Sequence, residues 1–470
     1  MMRILWRMKH MQMLKKKLYF DKENFITREK GGFCLFFSNK YFLWLKTSMT
    51  GQDVLKKLDG EKALQEVIKE IAEEYMMPQE MIEKDIVKFC ETGIENKIIF
   101  EEKNQSVDVE FDDRLKFLFI DITNACNLNC IYCNKDSSKD VDKVEFIRIE
   151  TLTEILDKTT PLSKGVDILV NVTGGEPLLH DNLEEIFKLI RSYNCRIVLW
   201  TNGILLDEKK ADLIKEYCDY IMISVDEFEK EKNDNIRGIG AYDGAVCAAE
   251  ICTKKSIPFI IVATPTKYNI NNLEQILTFA HSIGALGFML NEPIHIGKNG
   301  EDLSEHFDYS LSELKSKQLH LGKRVAIINS WKNDKLKHEK NNKSNIVFVK
   351  DTQRCMNNVF SVIPKLSCGA GINELSIDTV GNIYPCHALH IKKYSIGNIQ
   401  NYPVNKKEFM KTDDVERCGE CVYKIFCLGG CRAQSLFHTK KVDGRYPLCE
   451  YEKANCEEIL WSPLQPLKKK

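Results

Sequence analysis

The sequence predicts an α/β protein: a partial (β/α)6 TIM-like barrel, preceded by a small winged-helix-like domain and followed by a cysteine-rich domain stapled by metal. Three observations carry this. Between residues 117 and 290, continuously apolar strand-like runs alternate with amphipathic helical stretches, the pattern of parallel strands covered on both faces. Ten of the 18 cysteines fall into two groups with short, fixed spacings. After residue 368 the chain is turn-rich and has too few apolar residues for a full core, so metal is the expected staple.

Residues 1–31 read as an N-terminal extension. The first seventeen carry Arg3, Arg7, Lys9, Lys15, Lys16 and Lys17 and no acid. Charges break up the apolar part, so a secretory h-region is missing. The extension is expected to be disordered or to precede the true start, for which Met8, Met11 and Met13 are candidates. Residues 32–100 form a self-contained unit. It opens with strand-like runs at Phe33 to Phe37 and Tyr41 to Leu45, and Thr50 caps a helix through Leu58. Asp59-Gly60 makes a turn. Leu64, Val67, Ile68, Ile71, Ala72 and Tyr75 share one helical face, and Pro78 opens a third helix that stops near Gly93. A short strand, Lys97 to Phe100, closes the unit.

A charged linker (101–115) leads to the barrel (116–296). Its strands are Phe117 to Ile122, Asp167 to Val172, Arg196 to Trp200, Tyr220 to Val225, Phe259 to Thr264 and Leu286 to Leu290. Helices include Leu183 to Tyr193, Glu208 to Tyr217, Tyr242 to Lys255 and Leu273 to Ile283. In barrels the chemistry sits at the C-terminal strand ends. A polar, Lys-rich connector or lid (297–367) includes Lys335 to Asn345. The cysteine-rich domain spans 368–456 and a tail spans 457–470.

Composition excludes several classes. Hydrophobic residues at 43% and charged residues at 29% describe a globular chain rather than a disordered one. A net charge of -1 gives no field that steers the chain onto nucleic acid or an anionic membrane. The apolar runs are too short for a membrane span, and a cytoplasmic location is expected. The eight scattered cysteines, Cys34, Cys90, Cys195, Cys218, Cys247, Cys252, Cys355 and Cys456, are mostly core filler by default.

At the end of the first barrel strand stand Cys126, Cys130 and Cys133. Three thiolates within eight residues wrap one compact cluster and leave one iron without a protein ligand. A zinc site would want a fourth Cys or His, and none follows soon after Cys133. With Tyr132 just before the last cysteine, this CxxxCxxC segment resembles the signature of the radical SAM superfamily. The resemblance implies a 4Fe-4S cluster on the three cysteines, with S-adenosylmethionine chelated to the open iron and cleaved reductively to a 5'-deoxyadenosyl radical. Thr173-Gly174-Gly175-Glu176-Pro177 is similar to the family's GGEP segment, which lies against the methionine amino group. Two glycines let backbone approach a ligand closely, and Glu176 adds an acceptor charge. Thr201-Asn202-Gly203 closes the third strand. By the same resemblance Ser224 contacts the ribose or methionine part and Arg237 the S-adenosylmethionine carboxylate. Asp226 reads equally as a turn or capping residue.

The C-terminal cysteines, Cys368, Cys386, Cys418, Cys421, Cys427, Cys431 and Cys449, are spaced as in a SPASM domain, which in its family holds two auxiliary 4Fe-4S clusters. The resemblance implies that Cys418, Cys421, Cys427 and Cys449 ligate the outer cluster and that Cys368, Cys386 and Cys431 ligate the inner one. Cys355 is a candidate fourth inner ligand; the alternative is an open iron that binds a substrate thiolate. A zinc ribbon is the competing reading of the CxxC portion. The N-terminal unit resembles the RiPP recognition element, which captures the leader of a ribosomal precursor peptide by β-augmentation, here on an edge near Tyr41 to Lys46. A purely structural role is the alternative.

The whole layout resembles the subtilosin A maturase-like sactipeptide enzymes. This implies thioether formation between a Cys sulfur and a carbon of an acceptor residue, with a precursor peptide held by its leader and a reductase such as flavodoxin or ferredoxin as partners. The same architecture leaves carbon-carbon crosslinking, epimerisation (with Cys218, Cys247 or Cys252 as hydrogen donor) and sulfatase maturation open. A leader-binding or electron-transfer protein without S-adenosylmethionine chemistry is the reading from another class. No catalytic base is identified.

Overall fold

The structure, a computed structural model, describes residues 9–41, 43–103, 112–135, 144–291, 293–297, 301–318, 321, 347–349, 368–401 and 411–461. Cys355 and the Lys335 to Asn345 stretch lie outside the described residues.

The N-terminal unit begins earlier than the sequence suggests. Strands β1 (Lys17–Tyr19) and β2 (Ile26–Lys30) precede β3 (Phe33–Ser38) and β4 (Leu43–Ser48). β2, β3 and β4 form an antiparallel sheet in that order. The boundary expected at residue 32 therefore falls inside a hairpin, whose turn residues Gly31 and Gly32 both take positive φ, 59° and 77°. Met13, Leu18, Phe20 and Phe25 are buried in the unit's core, so this part of the extension is structural. The basic residues between them hide the apolar positions when the segment is read as a string.

Helix α1 (Met49–Lys57) follows, and its cap is Ser48, whose hydroxyl accepts from the Gly51 amide at 3.2 Å, rather than Thr50. Asp59-Gly60 opens strand β5 (Asp59–Ala63), which pairs with β1. Helices α2 (Leu64–Glu74) and α3 (Gln79–Glu95) complete the unit, α3 running two residues past Gly93. The strand expected at Lys97 to Phe100 is reduced to a single bridge between Tyr19 and Phe100.

The expected barrel strands are present as β6 (Phe117–Thr123), β7 (Leu169–Gly174), β8 (Arg196–Thr201), β9 (Tyr220–Ser224), β10 (Phe259–Ala263) and β11 (Gly287–Leu290). They are parallel neighbours in sequence order. Helices α4 (Ile149–Thr159), α5 (Leu183–Ser192), α6 (Glu208–Tyr217), α7 (Lys230–Arg237), α8 (Ala241–Lys255) and α9 (Leu273–Ser282) connect them. Their buried faces and the strands share one core that includes Ile120, Val170, Phe187, Ile197, Ile221 and Ile261.

The sheet extends beyond six strands. β12 (Val347–Val349) pairs with β11, and β13 (Glu374–Ile377) pairs in parallel with β6 and is followed by β14 (Asn382–Tyr384) and β15 (Gly397–Asn398). The ten strands run β12-β11-β10-β9-β8-β7-β6-β13-β14-β15. The cysteine-rich segment thus borrows the barrel's core; Leu375, Ile377, Ile383 and Ile399 belong to it. Short helices α10 (Lys424–Cys427) and α11 (Arg432–Thr439) and the longer α12 (Cys449–Trp461) end the described chain. α12 crosses the boundary expected at residue 456. Among the described residues, no helix is long and apolar enough to cross a membrane.

Candidate functional site

β6 delivers the cysteine loop to the C-terminal end of the sheet, and β7 seats it. The Gly175 amide donates to the Thr123 carbonyl at 2.8 Å and the Glu176 amide to the Ala125 carbonyl at 2.7 Å. A Cβ on Gly174 would sit 2.1 Å from the Thr123 carbonyl oxygen, and one on Gly175 2.0 Å from that of Ala125. The two glycines therefore admit the backbone leading to Cys126, rather than serving only a ligand as the sequence suggests.

Cys126, Cys130 and Cys133 line one wall of an open cavity of about 210 Å³. Burial raises the Cys126 thiol to about 11 and Cys130 to about 12, and each of the three thiols lies within electrostatic reach of another. Buried thiols of this kind become good ligands only when a cation deprotonates them. Among the described residues, no group of three or more His, Cys, Asp or Glu is drawn together as tightly as a single metal ion requires. No disulfide forms among the described cysteines.

Pro177 opens a single 3-10 turn behind the glycines. Glu176 is buried and fully engaged. It accepts from the Leu178 amide (3.0 Å), the Thr201 hydroxyl (2.7 Å) and the Asn202 amide (2.8 Å), while burial raises its pKa. It ties the end of β7 to that of β8, a role the sequence reading did not assign. Asn202 in turn donates to the Asn127 side chain at 2.7 Å, inside the cysteine loop.

Asp226 is the residue that sequence reasoning undervalued. Completely buried beyond β9, its carboxylate accepts from the Tyr132 hydroxyl, from Arg237 Nη1 at 2.9 Å and from the Thr264 amide at 2.7 Å. Arg237 also donates to the Tyr132 hydroxyl at 2.6 Å. Burial opposes its charge, but the groups around it, the Asp226 carboxylate among them, push the Arg237 pKa well up. Its buried Nε has no hydrogen-bond partner among the described residues. Tyr132, Ser224, Arg237 and Asn202 all line the cavity. The hint in the sequence was the pairing of Asp226 with an Arg eleven residues on, at the far end of α7.

Aromatic side chains also line the cavity. Trp200 Nε1 donates to Asn171 at 2.9 Å, and Phe119 packs on the His387 ring with centroids 4.7 Å apart. His387 Nδ1 lies 2.6 Å from Glu374. Lys135, two residues past the last cysteine of the loop, holds Asp121 through both carboxylate oxygens at 2.8 and 3.0 Å. Neither His387 nor Lys135 was singled out in the sequence, because only the β6–β13 pairing brings them to one cavity.

The C-terminal cysteines gather as two groups. Cys386 lies within electrostatic reach of Cys368 and Cys431, and Cys418 within reach of Cys421, Cys427 and Cys449. Burial pushes the Cys386 thiol well up and Cys418 to about 11.

Residues 120–280 match the model of the Radical SAM superfamily, and residues 44–99 match that of coenzyme PQQ synthesis protein D. The chain is 26% identical over 351 residues to the AdoMet-dependent heme synthase of Methanosarcina barkeri, covering 70% of this chain and 95% of that protein. It is 25% identical over 345 residues to the PqqA peptide cyclase of Gluconobacter oxydans, covering 71% and 89%. Its fold is similar to that of Streptococcus suis SuiB bound to precursor peptide SuiA, with a TM-score of 0.51 and 13% identity over 92% of this chain and 100% of the other. Residues 120–280 are thus similar to a radical SAM domain and residues 44–99 to PqqD, and the two relatives named above are enzymes by name.

Proposed function

We propose that this chain is a radical SAM enzyme that modifies a ribosomally made precursor peptide, forming thioether links between a Cys sulfur and a carbon of an acceptor residue. The observation that carries the reading is the division of ten described cysteines into one group lining the cavity and two further groups in the C-terminal segment, together with an antiparallel N-terminal sheet that has β4 at its edge. The residues present fit the implied groups. Cys126, Cys130 and Cys133 hold the cluster that binds S-adenosylmethionine. The orphaned Nε of Arg237 supplies a donor for a carboxylate, and Asn202 and Ser224 offer polar contacts beside it. The C-terminal groups hold two auxiliary 4Fe-4S clusters in a SPASM-like arrangement, and the N-terminal unit is a winged-helix-like recognition element that receives the leader.

When bound, the cluster and S-adenosylmethionine supply the radical that removes a hydrogen atom from the peptide. The chain's own residues do the rest. Asp226 fixes Tyr132 and Arg237 so that the ligand meets a rigid wall. Glu176 locks the β7 and β8 ends, and the aromatic surface of Phe119 and Trp200 excludes water beside the reacting carbon. Formation of the carbon-sulfur bond releases the thiol proton and one electron; auxiliary clusters held by the two C-terminal cysteine groups would supply the one-electron acceptor. Leader capture raises the effective concentration of the core peptide at the cavity.

The test is anaerobic co-expression with a Cys-containing precursor peptide and fragmentation of the product by mass spectrometry. A loss of two hydrogens per link, with Cys no longer alkylatable, is expected. The same loss with free thiols refutes the thioether assignment and favours carbon-carbon linkage, the second reading, which the PqqA peptide cyclase relative supports.

A further inference from the structure

Strand β3 is buried on both faces. Cys34 and Phe36 point into the N-terminal core, while Leu35 and Phe37, each 1% exposed, point out of it. What covers them is the C-terminal cysteine-rich segment. Phe37 packs edge-on against Tyr423 and Phe426, with centroids 6.2 and 6.0 Å apart, and Trp44 of β4 packs against Phe426 at 5.7 Å. Leu460 and Cys456 of α12 close the same cluster. Around its rim Arg28 of β2 donates to the Tyr423 hydroxyl and, at 2.6 Å, to Glu457. Lys30 and Lys46 lie over the Trp461 ring at 5.9 and 6.0 Å.

The platform under the sheet is built from two elements that meet in this cluster. α10 has only four residues, far too few for an autonomous helix, and it carries Phe426 between Cys421 and Cys427. α12 begins at Cys449 and presents Glu457, Leu460 and Trp461 from its other end. The outer set of cysteines is thus divided between these two elements: Cys418, Cys421 and Cys427 on and before α10, Cys449 on α12.

We infer that the outer cysteine group is a keystone for the N-terminal sheet: assembling its cluster joins α10 to α12, and this creates the surface on which the peptide-capturing unit docks. Cluster occupancy and the position of the leader-binding sheet are then coupled, and the coupling runs in both directions. This rests on the reading above that the four outer cysteines ligate a cluster.

The test uses the full chain, reconstituted with iron and sulfide, and reads iron content together with amide hydrogen exchange. In Cys427→Ser, the iron of one cluster is expected to be lost and residues 26–48 to exchange at least about fivefold faster, the lower end of ordinary coupling. Exchange in α2 should stay unchanged and serves as the check that the N-terminal unit remains folded. The reverse direction uses Phe37→Glu, which lies outside the N-terminal unit's own core. It should lose outer-group iron to a chelator at least about fivefold faster, with the cavity cluster unaffected. Unchanged iron in Cys427→Ser would refute the cluster reading and the coupling with it. Lost iron with unchanged exchange at 26–48, or unchanged iron release from Phe37→Glu, would overturn the coupling alone.

Discussion

Glu176→Gln separates a clamp from a cofactor contact. In the structure one carboxylate oxygen serves the Leu178 amide and the Thr201 hydroxyl, and the other serves the Asn202 amide. A glutamine keeps one acceptor oxygen and turns the other into a donor, so one main-chain amide faces an NH2 group whichever way the side chain is turned. Losing a hydrogen bond to a charged acceptor costs about 1.5–3 kcal/mol. Burying a neutral amide instead of a carboxylate recovers part of this, leaving a net local loss of about 1–2 kcal/mol. That corresponds to an opening equilibrium shifted about 5–30-fold. Hydrogen exchange at Leu178 and Asn202 should accelerate by that factor in the protein without S-adenosylmethionine, with weaker S-adenosylmethionine binding as a consequence. Weakened binding with unchanged exchange at both amides would show that Glu176 acts on the ligand directly, and the clamp argument would fail.

Three further outcomes are expected. Cys126→Ala should abolish S-adenosylmethionine cleavage and remove the iron of one cluster while leaving that of the C-terminal groups; residual cleavage at the wild-type rate contradicts the assignment. Removing residues 1–31 takes away β1, β2 and the buried Met13, Leu18, Phe20 and Phe25. At about 1.5–3 kcal/mol each, the lost burial is about 6–12 kcal/mol, comparable to the stability of a whole domain. The N-terminal unit should then be digested rapidly by protease, and a resistant fragment covering residues 33–100 argues otherwise. Acid should destabilise the fold through His295 and His390, which burial holds neutral, with pKa values pushed down to about 4 and about 3. Because the folded pKa lies below the unfolded one of about 6.5, this stability is full above pH 6.5 and is lost as pH falls through the interval below it. At pH 5 each histidine costs about 2 kcal/mol. His295→Phe, stacked between Phe307 and Phe437, should flatten the dependence of the urea midpoint between pH 7 and 5, whereas an unaltered slope excludes His295 as a contributor.

The barrel strands were legible because each is a short, nearly unbroken apolar run, and a parallel strand covered on both faces has no polar side to disguise it. The cysteine spacings were legible because each group is short and local in the chain. What escaped the sequence depends on contacts between distant residues. β13 has only four residues, including Glu374 and Ser376, and its partner β6 lies some 250 positions earlier, so nothing local marks it as a barrel strand. Residues 9–31 concealed Leu18, Phe20 and Phe25 among lysines and acids. The Thr50 cap was a near miss, since Ser48 offers the same hydroxyl two residues earlier. At the site, the glycines and Glu176 were identified as residues that matter, but their partners proved to be the Thr123 to Ala125 backbone and the β8 end. A resemblance in sequence conveys which residue is required and leaves open what it touches.

The four residue pairs that join β6 to β13 act as a ruler. Phe117 and Glu374, Leu118 and Leu375, Phe119 and Ser376, and Ile120 and Ile377 fix how far the loop bearing Cys126 stands from the turn bearing Cys386. One step of slippage would move one centre by about 3.3 Å and turn Phe119 away from the cavity. The separation of these two cysteine-bearing segments is thus set by four rungs of backbone.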